Sequence, residues 1–164
     1  MTYGPENATL QVHTYREGVA AKVGHDLVIE VTRWEATMDG DAIELTADPG
    51  SLEVREGHRG VKPLSDRDRA EIRKNIDAKV LGRSPIAFRS TAVDGDVVEG
   101  ELTMAGATRP VSARLETSGG RTRATIPLVQ SEWGIKPYRG LMGALKVRDD
   151  IEIVIDAPAP APAG

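Results

Sequence analysis

Apolar residues along most of this chain recur at every second position rather than at the helical spacing of three or four. In the segment 20–31, Val23, Leu27, Ile29 and Val31 all have odd numbers. A period of two with charged residues between the apolar ones predicts strands that bury one face. Eight further runs follow the same pattern, with apolar positions at Leu10, Val12, Ile43, Leu45, Ala47, Leu52, Val54, Ile86, Phe88, Val98, Leu102, Met104, Val111, Ala113, Leu115, Ala124, Ile126, Leu128, Ile151, Ile153 and Ile155. The pattern therefore predicts an all-β, antiparallel fold.

Short turn sequences separate these runs. Asp, Gly, Pro and Ser are concentrated at 38–41, 48–50, 94–96 and 118–120, and such residues favour tight turns between antiparallel strands. Short connections make segments that are adjacent in sequence adjacent in space. We therefore expect an eight-stranded up-and-down meander closed into a barrel, although a two-sheet sandwich would pack the same residues without a cavity.

One segment departs from the period of two. Ile72, Ile76 and Val80 are four residues apart, and Gly82 follows as a helix stop. This spacing predicts one amphipathic α-helix over about 65–81, lying with its apolar stripe on the sheet.

The length of 164 residues fits a single domain. We expect one domain over 1–157, followed by a disordered tail at 158–164, where Pro and Ala alternate. The net charge of −4 argues against a nucleic-acid partner, and the absence of Cys excludes disulfides and thiolate sites. No run approaches a spanning helix and no signal-peptide pattern is present, so the expectation is a cytoplasmic protein that does not insert into a membrane.

The size of the inward residues bears on what the barrel contains. An eight-stranded barrel either fills with its own side chains or holds one small ligand. Here the inward set is mostly Val, Ile, Leu and Ala, and Phe88 is its one aromatic residue. Small aliphatic side chains would leave a dry, elongated space, which favours an aliphatic ligand.

Several sequence motifs resemble those of one family. Val23-Gly24-His25 resembles its hydrophobic-x-His element, and residues 85–91 resemble its P-x-x-F-x-S-T strand. Residues 100–111 are similar to its most specific signature, a G-x-L-T-x-x-G-x-T-x-P-V hairpin. Trp133-Gly134-Ile135 and the apolar segment 147–155 resemble its aromatic-Gly-Ile turn and its closing strand. These are the marks of the YceI-like family of lipocalin-like, polyisoprenoid-binding proteins.

The resemblance implies an eight-stranded antiparallel barrel with a helix against one side and a long apolar tunnel. It implies a tunnel occupant that is a polyisoprenoid, an isoprenoid quinone or a fatty-acid-like amphiphile. Many relatives are periplasmic, and homodimers are common among such barrels, so a homodimer is an open possibility. The expected function is non-enzymatic binding, transport or sequestration of that lipophilic molecule.

Parity and resemblance together select the candidate ligand-binding residues, which are Val23, His25, Leu27, Ile29, Ile86, Phe88, Leu102, Met104, Ile126, Trp133, Ile151 and Ile153. His25 has the inward parity and is the polar member of this set. It is either a ligand contact or a core histidine satisfied by its neighbours. No catalytic group, metal ligand set or cofactor motif is predicted, because no histidine has a partner at a characteristic spacing.

Two other functions remain open at this point. The protein could be an enzyme of small-molecule metabolism that uses the same pocket, with His25 as acid or base. It could also be a protein-interaction module that docks a partner on the mixed-charge helix face. The segment 131–143 forms either the tunnel rim, with Lys136, Arg139 and Lys146 near an anionic head group, or an irregular connection whose Trp133 plugs one end of the barrel.

Overall fold

The alternating runs form antiparallel strands that build one strongly curled sheet. The computed structural model describes residues 2–16, 26–58, 67, 70, 84–136, 139–140 and 145–159. The strands within these residues are β1 (Thr2–Tyr3), β2 (Thr9–Arg16), β3 (Asp26–Val31), β4 (Trp34–Asp39), β5 (Ala42–Ala47), β6 (Leu52–His58), β7 (Ile86–Asp94), β8 (Val97–Met104), β9 (Ala107–Ser118), β10 (Arg121–Val129), β11 (Arg139–Gly140) and β12 (Leu145–Pro158).

The order of the strands brings the two ends of the chain together. From β7 to β10 each strand pairs with the next, β10 pairs with β12, and β12 pairs with β2. Ile153 of β12 lies opposite Val12 of β2 and Ile126 of β10. All of these pairs are antiparallel. The sheet curls into a β-barrel, and its inner face carries the alternating apolar residues.

Strands β3 to β6 form one long two-stranded ribbon with a bend in its middle. Only Thr32 and Arg33 separate β3 from β4, while β3 pairs with β6 and β4 pairs with β5. The bend is held by Ser51, which is only 2% exposed. Its Oγ donates to the Asp48 carbonyl at 2.8 Å and accepts from the Arg33 amide at 3.0 Å. The ribbon therefore links β2, on one side, to β7, on the other.

The predicted count of eight strands is not confirmed, because the described residues contain twelve. The bend divides each strand of the ribbon in two, and β1 and β11 are short additional strands. The sequence 48–50 was predicted to be a turn between two neighbouring strands. Asp48 instead caps a short 3-10 helix, Pro49–Ser51, and this helix carries the chain around the bend of the ribbon.

The helix predicted over 65–81 lies almost wholly outside the described residues. Within that range only Arg67 and Ala70 are described, and both are helical and exposed, so the helix as a whole stays a prediction. At the other boundary, β12 includes Pro158, the first residue of the predicted tail, and residues 160–164 lie outside the description. Among the residues described, no helix has the length and apolarity to cross a membrane.

The inner face of the sheet carries two groups of buried side chains. One is centred on Leu10, Val31 and Leu45, and the other on Val98, Ile126 and Leu128. Four partly buried residues pack against both groups, namely Val12, Ile86, Phe88 and Ile153. Because these four keep some accessible surface although they point inward, the barrel interior is not completely filled.

Candidate functional site

The space inside the barrel is an apolar cavity of about 390 Å³. Its walls come from every long strand, since residues of β2 to β10 and β12 all contribute. The aliphatic lining residues are Leu10, Val12, Ile29, Val31, Ala36, Ile43, Leu45, Ala47, Leu52, Ile86, Val98, Leu102, Ala113, Leu115, Ala124, Ile126, Ile135, Ile151, Ile153, Ile155, Ala157 and Pro158. Met38, Met104 and Phe88 add a thioether pair and one aromatic ring. A cavity of this size and lining is typical of a site for a small lipophilic molecule.

The ring of Phe88 has room on the inner wall because its diagonal neighbour on β8, Gly100, lacks a side chain. A Cβ built on Gly100 would lie 2.6 Å from two carbons of the Phe88 ring and 2.5 Å from the carbonyl oxygen of Arg89. The ring therefore lies directly against the backbone of β8. Glycine at this position leaves the centre of the barrel open, since any larger residue would displace the ring.

Trp133 is buried at one end of the barrel, which we call the lower end, beside the β8–β9 hairpin. It is 3% exposed, and its indole nitrogen donates to the Leu102 carbonyl at 3.0 Å. Gln130 precedes it in the 3-10 helix Gln130–Trp133 and donates from Nε2 to the Arg148 carbonyl at 3.0 Å. Trp133 packs beneath Met104 and Leu102 and is not among the residues that line the cavity.

The opposite end, which we call the upper end, is more polar. Thr117 and Thr122 face each other across the β9–β10 hairpin, with their hydroxyls 3.0 Å apart, and both border the cavity. Tyr3 and Pro158 also border it. Burial raises the pKa of the Tyr3 phenol above its ordinary value of 10.0 because desolvation disfavours the phenolate. Exposed Thr117 places the mouth of the cavity at this end.

Two features of the cavity wall restrict what it can bind. None of the described lining residues carries a formal charge; their polar members are Tyr3, Thr14, Trp34, Thr37, Thr117, Thr122 and Gln130. Among the described residues, Trp34 alone has a buried side-chain polar atom without a hydrogen-bond partner, its Nε1. A buried donor left unsatisfied costs about 1–3 kcal/mol, which makes this nitrogen an anomaly of the wall.

The structure brings eight of the predicted site residues together around the cavity. They are Ile29, Ile86, Phe88, Leu102, Met104, Ile126, Ile151 and Ile153. Leu27 pairs with Thr14 through its backbone, but its side chain is outside the description, as are Val23 and His25 entirely. Lys136 is exposed and does not border the cavity, while the side chains of Arg139 and Lys146 are not described.

Sequence reasoning missed Trp34, Tyr3 and Gln130 as members of the cavity wall. Trp34 has an even number, whereas the inward residues of β3 have odd numbers, because the bend at 32–33 reverses the parity. The same reversal separates Ala47 of β5 from Leu52 of β6. A shift in the parity of apolar residues within one run is the signal that could have identified the bend.

The described part of the chain holds no group of three or more His, Asp or Glu residues placed to bind a metal ion. The described wall also lacks His, Asp, Glu, Lys and Arg. What these residues can do is to enclose an apolar molecule and exclude water from it.

An antiparallel barrel enclosing an uncharged apolar cavity defines a class of small-molecule-binding barrels. The YceI-like domain matches residues 5–159, and the chain belongs to this family, as the motifs at 85–91 and 100–111 predicted. Membership in it suggests lipid binding. The chain is also similar to the crystal structure of Burkholderia cenocepacia BcnA, with a TM-score of 0.57 and 15% sequence identity over 93% of this chain and 96% of that one. This likeness concerns the fold. The comparison with curated proteins gave no match.

Proposed function

We propose that this protein binds a polyisoprenoid or a similarly lipophilic amphiphile inside the barrel and carries or sequesters it without changing it chemically. The observation that supports the proposal best is the cavity of about 390 Å³ with its uncharged and largely aliphatic wall. Family membership supports it independently.

The energetics of the cavity favour an occupant. An empty apolar cavity is costly because the side chains around it lose packing contacts on their inner side. Each methylene that enters the cavity contributes roughly 0.8 kcal/mol through its removal from water. An apolar chain of moderate length therefore gains enough to bind and offsets the cost of keeping the interior open.

In this proposal the ligand-contacting residues are the eight predicted ones around the cavity, together with others on the wall. Among the latter, Leu115, Ala124 and Ile155 are half-buried and point inward near the upper end. The mouth beside Thr117 and Thr122 is the route of entry in this proposal, because exposed Thr117 borders the cavity.

The test combines extraction with a blocking variant. The purified protein is extracted with organic solvent and analysed by mass spectrometry, and its thermal unfolding is followed with and without farnesol. A lipophilic molecule should be recovered from the protein. Farnesol at about 100 times its Kd should stabilise the delipidated protein by about 2.7 kcal/mol, which raises Tm by roughly 5–11 °C.

Ala124→Phe is the blocking variant, since Ala124 is a half-buried wall residue, and Arg123→Phe is its control on the exposed face of the same strand. The stabilisation by farnesol should fall in the first variant and persist in the second. Recovery of no lipid, together with no response of Tm to either farnesol or squalene, would refute the proposal.

A further inference from the structure

The indole of Trp34 has a position that sets it apart from the rest of the cavity wall. It is the first residue of β4, directly after the bend of the ribbon, and it lies opposite Ala47 of β5. Its side chain is 7% exposed and borders the cavity. Its Nε1 is buried and donates to no protein group.

The other tryptophan shows how this chain treats an indole that has only a structural role. Trp133 is equally buried, and its Nε1 donates to the Leu102 carbonyl at 3.0 Å. Buried polar groups in folded proteins are almost always paired, so a donor left unpaired in a cavity wall indicates a partner that comes from outside the protein. That partner is a hydrogen-bond acceptor on the molecule in the cavity.

We infer that the cavity ligand is an uncharged lipid with an acceptor oxygen (a hydroxyl, ether or carbonyl) that accepts a hydrogen bond from Trp34 Nε1. The inference rests on the proposed function. Less than 1 Å² of the nitrogen is accessible, so this hydrogen bond requires the indole to turn toward the cavity. The hydrogen bond then fixes where along the barrel the polar group of the ligand sits.

Because the described wall carries no charged residue, it favours an electrically neutral ligand. A phosphate or carboxylate enclosed in the cavity would need a cationic partner or several donors, because an unpaired buried charge is strongly disfavoured. The described wall offers neutral donors and hydroxyls only, and Trp34 Nε1 is its one buried side-chain donor without a partner. A neutral oxygen needs no more than a single donor.

Three probes with the same isoprenoid chain test the inference, namely β-farnesene, farnesol and farnesyl phosphate. The chain contains two tryptophans, so a ¹H–¹⁵N correlation spectrum shows two indole signals, which Trp133→Phe assigns. Farnesol should move the Trp34 indole proton downfield, while farnesene binds and moves it little. Identical shifts with both probes would overturn the inference.

Affinities provide the second measurement. Trp34→Phe should reduce the preference for farnesol over farnesene by roughly 2- to 12-fold, the fold-change that corresponds to one hydrogen bond. The ratio of the two affinities cancels any general loss of packing, and Trp133→Phe should leave that ratio unchanged. An unchanged ratio in Trp34→Phe, or tighter binding of farnesyl phosphate than of farnesol to the wild type, counts against the inference. Binding of none of the probes would refute the proposed function itself.

Discussion

Replacement of Gly100 by alanine tests the packing that keeps the barrel interior open. The added Cβ would lie 2.5 Å from the Arg89 carbonyl oxygen and 2.6 Å from the ring of Phe88, and separations below 3.0 Å are not found for real Cβ atoms. The carbonyl belongs to β7, which pairs with β8 from Ala87 to Asp94 with a change of register between Ser90 and Ala92, so a backbone shift here disturbs that pairing. The ring of Phe88 is displaced into the cavity, and the contact with the Arg89 carbonyl in addition forces a shift of the β7–β8 backbone.

The size of the effect follows from overpacking. Insertion of a methyl group into a packed site costs about 1–3 kcal/mol. For a domain of 150–250 residues each kcal/mol lowers Tm by about 2–4 °C, so Gly100→Ala should lower Tm by roughly 2–12 °C. Because the displaced ring occupies part of the cavity, farnesol should also stabilise the variant less than it stabilises the wild type.

Thermal unfolding by circular dichroism, with and without farnesol, measures both effects. Gly50→Ala is the matched control, since its Cβ would come no nearer than 3.3 Å to the Asp48 carboxylate. The double variant Gly100→Ala with Phe88→Leu should recover part of the loss because it removes the ring. The Tm of Gly100→Ala should therefore lie well below that of Gly50→Ala. A difference of less than about 1 °C between the two variants, smaller than the least expected decrease, would show that the close approach of ring and backbone is not a feature of the protein.

Three further predictions concern other parts of the barrel. Trp133→Phe should destabilise the protein by about 1–3 kcal/mol in denaturant titrations, because the Leu102 carbonyl loses its indole donor at the lower end; an unchanged midpoint would exclude this hydrogen bond. Ala105→Gly should stabilise it by up to about 1 kcal/mol, since Ala105 has a φ of 52°, a left-handed conformation that costs a side-chain-bearing residue about 1–2 kcal/mol; a loss of stability would contradict this. Burial raises the pKa of Tyr3 above 10.0, so its contribution to stability is complete below that pH and declines as pH rises further. Tyr3→Phe should therefore weaken the decrease in Tm measured between pH 9 and 11, and an identical pH profile would oppose the assignment.

The sequence predicted the strands and most of the cavity wall because alternation reports directly which face of a strand is buried. Ile86 and Phe88 of β7, and Ile151 and Ile153 of β12, lie where their parity placed them. Alternation shows which face of a strand is buried, but it does not show where a long strand bends. The bend of the ribbon was therefore missed, and with it Trp34, whose inward orientation depends on the reversal of parity at 32–33.

The hydrogen-bonding state of a side chain is even less accessible to sequence reasoning. Trp34 and Trp133 are both buried, and nothing in their neighbouring residues indicates that one indole is paired and the other is not. That difference arises from which backbone carbonyls are left without a partner in the completed barrel. The Leu102 carbonyl accepts from the indole of Trp133, whereas Trp34 follows the bend and no protein group accepts from its Nε1.

The pairing of β2 with β12 has a consequence for how the protein folds. Residues 9–16 and 147–156 come together only when nearly the entire polypeptide is available, and contacts this distant in sequence slow folding toward the millisecond-to-second range. During synthesis, most of β12 must therefore leave the ribosome before the barrel can close. Until then the apolar inner surface is exposed to water and to neighbouring chains. Under the proposed function, a lipid that binds at this stage would cover that surface and so assist folding.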